Sequence, residues 1–174
     1  MLPDTFLREV NEGNFTMYNK MVFDREDQMI SSMKGKTKDV AKLEEVEYSN
    51  CMHDIMSIIY CIRNKDFDQF EEGGKMPVKV ALDGEIYSLN VEYKGITKKK
   101  KVKGMGKFDL HMFSPELIAG HVFDENSKMK VWVSADENKI PILIESPVSV
   151  GSVKVVLKDY ENLKYDLSSK VSKK

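Results

Sequence analysis

KVWVSADENKIPILIESPVSVGSVKVVL, residues 130–157, is the stretch that decides the fold. VWVS (131–134) reads as a short strand, ADENK makes a tight turn, and IPILIES (140–146) resumes an apolar run. Short β-branched runs around turn residues are the mark of strands joined by hairpins. Pro141 has no amide to give to a ladder, so it belongs at a strand start or on an edge. VGSVKVVL (150–157) supplies a further strand, in which Gly151 marks a bulge or a close backbone approach. The stretch carries one tryptophan and almost no reactive chemistry, so it builds a wall, not a catalytic centre.

The same pattern extends both ways. Turn signals recur at NEGN (11–14), DRED (24–27), KGK (34–36), DG (83–84), KG (94–95), GMG (104–106), DENS (124–127) and DENK (136–139). EIYSLNVEY (85–93) alternates so that Tyr87, Leu89, Val91 and Tyr93 share one face. KFDLHMF (107–113) places Phe108, Leu110 and Met112 on one side and Lys107, Asp109, His111 and Phe113 on the other. Many short strands at this spacing predict a mainly β (α+β) fold, a curved antiparallel meander or partly open barrel. The expected organisation is a single β-rich domain over 1–167 and a disordered basic tail over 168–174.

SNCMHDIMSIIYCIRN (49–64) breaks the alternation. Apolar residues fall on nearly every side of a helix drawn through it, with a narrow polar strip at His53, Asp54 and Ser57. Ser49 or Asn50 suits its N-cap, and Arg63 suits the dipole at its end. A helix apolar all round must be covered on more than one face, which predicts one apolar helix, about 49–64, packed in the concave face of the sheet. Cys51 and Cys61 would then stand ten helical residues apart, about 15 Å of rise, too far for a disulfide.

At 174 residues the chain is long enough to bury roughly 70% of its unfolded surface. Lys and Arg total 27 against 28 Asp and Glu, so no global charge draws it to nucleic acid. No apolar run reaches the ~20 residues of a transmembrane helix. The N-terminus has neither a basic nor an apolar leader segment, and taken literally it implies a cytoplasmic location. His53, His111 and His121 show no metal-ligand spacing, and neither metal nor cofactor is implied. Ser57 lies one turn after Asp54 without a nucleophile elbow, which points to a satisfied polar strip before catalysis. KKKKVK (98–103) is the only basic block. Its simplest role is a solvated edge, and contact with phosphate or anionic lipid is the alternative. Among the many methionines, Met17, Met21, Met52, Met56 and Met112 are expected to point inward, as core filler or as the lining of an apolar pocket.

DIMSIIYCIRNKDF, GGKMPVKVALDGEIYSLNVEYKG, GKFDLHMFSP and the opening stretch, in that order, resemble an exported bacterial family known as domain of unknown function three-one-zero-eight. The resemblance covers essentially the whole chain. The helix motif matches at Asp54, Ser57, Tyr60 and Arg63, the strand motif at Trp132, and Gly106 to Phe108 form the turn before it. The resemblance implies a signal peptide and further strands ahead of Met1, and a periplasmic or envelope location. A curved sheet with a helix in its hollow also looks like the periplasmic lipoprotein-carrier architecture. The leading expectation is a non-enzymatic domain binding an apolar or amphiphilic ligand, lipid or acylated partner, with Asp54, Ser57, Tyr60, Arg63 and Trp132 as ligand-binding residues. For the first four, a network tying helix to sheet is the competing role. The alternatives are a structural or interaction module that binds protein by strand addition, and a hydrolase using Ser57 or a carboxylate.

Overall fold

The computed structural model of the protein describes residues 2–49, 51–116, 128–147 and 151–171. Asn50, His121 and the turn at 124–127 lie outside them, as do 172–174. Among the described residues the fold is mainly β, with two antiparallel sheets and no closed barrel. The chain divides into two compact units: Met1–Asn64 with Val78–Ser88, and Lys65–Pro77 with Leu89–Lys174.

The first unit is built on a meander of β1 (Thr5–Glu12), β2 (Phe15–Asp24), β3 (Met29–Gly35) and β4 (Lys42–Glu47), paired in sequence order. The turns at NEGN and DRED fall where the sequence places them: Gly13 adopts φ 57°, and Asp24 Oδ1 accepts the amides of Glu26 and Asp27. Met21, Phe23 and Ile30 from this sheet bury with Met52 and Ala81. Met21 and Met52 thus point inward as expected, whereas Met56 is 57% exposed.

The second sheet contains β5 (Lys75–Leu82), β6 (Glu85–Val102), β7 (Gly106–Pro115), β8 (Lys130–Ser134), β9 (Pro141–Pro147) and β10 (Ser152–Val156), again in sequence order. Pro141 opens β9, where its missing amide costs no ladder bond. Gly151 stands just ahead of β10 at φ 91°, and among the described residues nothing lies within 4 Å of an added Cβ. The KG at 94–95 is no turn at all. Gly95 adopts φ 79° at a register shift inside β6, a bulge that lets the strand run on for 18 residues.

Strand β7 is buried on both faces. Phe108 and Leu110 join Val102, Trp132, Ile140, Ile142 and Leu143 in one core, while His111 and Phe113 pack with Phe67 and Tyr93 on the opposite face. Part of the expected tail is also ordered. β11 (Lys170–Val171) pairs with β7 at Lys107 and Phe108, Ser169 is buried, and Leu163 and Leu167 pack on the first core. Hydrophobic periodicity misses this because the anchoring is polar: Asn138 Nδ2 donates to the carbonyls of Tyr165 and Asp166, and Asp136 Oδ2 accepts the Ser169 amide.

The β5–β6 hairpin gives its tip to the first unit and its base to the second. Asp83 (φ 55°) and Gly84 (φ 83°) both take positive φ, as the two-residue hairpin turn requires. Arg8 Nη2 lies 2.8 Å from each carboxylate oxygen of Asp83, and Lys34 Nζ donates to the Asp83 carbonyl. A Cβ on Gly84 would stand 2.9 Å from Ser32 Oγ, itself fully buried and hydrogen-bonded to Asn19 Nδ2.

Gly84→Ala should therefore cost more than the ~1–2 kcal/mol of a left-handed alanine, measured as a shift in the urea midpoint. Gly13→Ala is the comparison, with a similar φ and nothing within 4 Å of the added carbon. Equal costs at the two glycines would show that the tip does not press on Ser32.

Candidate functional site

Four of the five expected site residues lie on one short segment. α1 spans only Ser57–Arg63, not 49–64. Ahead of a turn at Ile55–Met56, His53 bridges to Val80, and its carbonyl accepts the Ala81 amide at 2.7 Å. This backbone pairing competes with helix formation, so Cys51 falls outside the helix. Asp54 sets the start instead of Ser49 or Asn50. Its Oδ1 accepts the amides of Met56 and Ser57 at 2.7 Å, and Ser57 Oγ accepts the Asp54 amide at 3.0 Å. That reciprocal pair is a capping box. Nor is the helix covered all round: Tyr60 is 44% exposed, and Ser57 is its only buried residue.

Asp54 and Ser57 thus hold the helix start. Ser57 Oγ also lies 3.4 Å from His53 Nδ1, the pairing a hydrolase needs. Both groups are buried, the hydroxyl already accepts an amide, and neither lines either of the two cavities described below. Burial holds His53 below its ordinary value, while the charge of Asp54 pulls the other way. The Arg63 guanidinium stands over the Tyr60 ring, 5.7 Å from its centroid. Trp132 belongs to the second unit and is core. It is 3% exposed, with Lys100 Nζ 4.1 Å above its ring centroid.

In the second unit Phe67, Phe70, Tyr93, His111 and Phe113 form a cluster with ring centroids 4.9–6.4 Å apart. Asp66 starts the short 3₁₀ turn Phe67–Gln69 by accepting the Asp68 amide, which sets both phenylalanines over the sheet. The loop is then fastened to β6 at one residue: Gly73 N donates to Tyr93 O, and Tyr93 N donates to Gly74 O. A Cβ on Gly95 would meet Glu72 Oε2 at 2.9 Å, so the glycine bulge makes room for the loop.

Beside this cluster is a cavity of about 170 Å³, walled by Phe70, Met76, Val91, Tyr93 and Phe113 with exposed Glu71 and Lys75 at its rim. The Tyr93 hydroxyl is engaged 2.8 Å from His111 Nδ1, leaving its ring to the cavity. Burial raises the Tyr93 pKa, assisted by Asp68 and Glu72. Burial lowers that of His111, and Lys139 and Lys98 add to this while Asp68 and Asp136 oppose it. In the first unit a second cavity of about 260 Å³ is lined in part by Phe23, Arg25, Tyr48, Cys51 and Met52. Among the described residues no group of three or more His, Cys, Asp and Glu is placed to hold a metal, and no helix is long and apolar enough to cross a membrane.

Sequence reasoning missed this aromatic site. His111 and Phe113 sit at the polar phase of the alternation, and the Phe67-x-x-Phe70 spacing was the signal that could have found their cover.

Asp54→Ala should destabilise the first unit by about 1 kcal/mol, the usual cost of a lost cap, with loss of helical circular dichroism; no change in either would remove the capping role. For His111 the pH sign follows from a folded value below 6.5. Its contribution is intact above the unfolded value and is lost as pH falls through 6.5 towards the folded one. The melting midpoint should fall between about pH 7.5 and pH 5.5, and His111→Asn should flatten that slope.

No curated protein and no solved structure matches this chain. One family model does, over residues 1–158, a span that ends just past β10. With most of its length and every described strand but β11 inside that match, the chain belongs to the family described as protein of unknown function (DUF3108).

Proposed function

We propose that this protein is a non-enzymatic binding domain that takes an apolar or amphiphilic ligand at the aromatic cavity of the second unit. The observation that carries this is the cavity's chemistry: five apolar or aromatic walls below a rim with one acidic and one basic side chain. A site of this kind, mostly apolar with few polar groups, is the usual form of a small-molecule site. Its volume of about 170 Å³ is close to the roughly 150 Å³ known to accept benzene. It suits a single ring or the end of an acyl chain, whose polar head would remain at Glu71 and Lys75. The ligand is thus proposed against the sheet at β6 and β7, not against α1. The concave sheet expected from the sequence remains part of this proposal, as does the envelope location that the resemblance implies.

A second reading has its own observation. Among the described residues β10 is an edge strand whose Val153 and Val155 are 51% and 57% exposed on one face. An open strand with an apolar face suits strand addition by a partner protein.

Native mass spectrometry of protein purified from the cell fraction that carries it, followed by organic extraction, tests the first reading. A reproducible apolar mass is expected, and Val91→Phe, which fills the cavity without adding a polar group, should abolish its retention while holding the melting midpoint. A clean apo mass that stays unchanged with added lipids and acyl chains would overturn the ligand reading in favour of the β10 edge.

A further inference from the structure

The end of the β6–β7 hairpin concentrates positive charge in a chain whose formal net charge is −1. Lys98, Lys99, Lys101, Lys103 and Lys107 are exposed there, Lys100 is half-buried, and β11 brings Lys170 to the same strands. Register sharpens the concentration. Lys101 stands directly opposite Lys107, and in the neighbouring rung Lys100 is opposite Phe108, which is in turn opposite Lys170. A bulge at Lys99, whose φ of 51° is in the left-handed region, adds one more lysine to the strand. Among the described residues one ion pair reaches this group, Lys98 Nζ to Asp109 Oδ2 at 3.1 Å, and Asp109 Oδ1 takes the Lys99 amide.

Like charges directly opposite one another across a sheet are destabilising. Charged edges discourage aggregation, but that purpose does not require the charges to be opposed or to go without carboxylates. An external anion satisfies them. Its kind follows from what the cluster contains. Every cation is a flexible lysine and none is an arginine, so nothing offers the rigid fork that reads a single phosphate. Among the described residues, the rings these lysines cover, Phe108 beneath Lys170 and Trp132 beneath Lys100, are buried and cannot stack on bases. Diffuse attraction through several lysines is how a protein meets a surface of anionic headgroups.

We propose that the Lys98–Lys107 hairpin end, joined by Lys170, is a docking surface for an anionic lipid membrane. None of its residues lines the aromatic cavity, so the surface stands or falls independently of the ligand reading. Docking here is peripheral and electrostatic, which makes it salt-sensitive over the ~8 Å screening length of physiological buffer.

Co-sedimentation of the full chain with phosphatidylcholine vesicles, with and without phosphatidylglycerol, tests this. Binding is expected only with the anionic lipid and should fade at high salt. Lys101→Glu should lower the partition about tenfold or more, yet hold or raise the melting midpoint, because it sets an opposite charge against Lys107. Binding loss and stability then move in different directions, so unfolding cannot explain the loss. Lys38→Glu, at an exposed position of the first unit, should leave the partition unchanged. Equal binding to both vesicles, or an unchanged partition in Lys101→Glu, overturns the proposal. Displacement by inorganic phosphate at constant ionic strength, or tighter binding to duplex DNA than to the vesicles, overturns the membrane assignment.

Discussion

Strand β7 must be satisfied in every direction, and the second unit is built to do it. On its edges it pairs with β6 along most of its length, and on the other side with β8 and then β11 where β8 has ended. On one face its Phe108 and Leu110 need an apolar cover, which Trp132 of β8, Ile142 and Leu143 of β9 and the segment through Leu163 and Leu167 provide. On the other its His111 and Phe113 need an aromatic cover, which Phe67, Phe70 and Tyr93 provide. Buried backbone left unpaired costs about as much as a lost hydrogen bond, so the β11 pairing is as necessary to β7 as the packing is. The candidate cavity is a by-product of the second cover, since a loop held at Tyr93 cannot fill all the space beside the rings it lays down.

The first unit answers a different constraint. Its sheet buries Asn19 and Ser32, two polar side chains that must find partners away from water. They bond each other, and the β5–β6 tip closes over them with Gly84 against Ser32 and Asp83 on Arg8. Glycine is required because a side chain would occupy the space the serine holds. The segment before α1 is fixed in the same unit by backbone pairing to Val80 and Ala81, and this is why Asp54 and Ser57 have a structural task. A capping box used in this way leaves little of either side chain for a ligand.

Local chemistry made much of this legible. Alternation identified β6 and β7, a short β-prone run identified β8, turn residues located the hairpins at Gly13, Asp83–Gly84 and Gly104–Gly106, and Pro141 marked a strand start. The helix within 49–64 is shorter than its apolar content predicts. Met52 and His53 are buried beside a backbone bridge instead, and a run of apolar residues does not distinguish those two ways of being inside. Gly95 differs for a related reason: a glycine reads as a turn whether the chain reverses or only bulges.

The sequence by itself determined the strand-rich meander, the hairpin chemistry and the absence of any familiar catalytic signature, because these depend on period-two patterning and on residues a few positions apart. Only the tertiary structure decided that the chain forms two units, that β7 is buried on both faces, and that Phe67 and Phe70 come to rest on Tyr93, His111 and Phe113. Only it showed Lys101 opposite Lys107. Those outcomes depend on contacts between residues distant in the chain and on the register of each strand pair, and a one-residue slip in register turns every side chain to the other face.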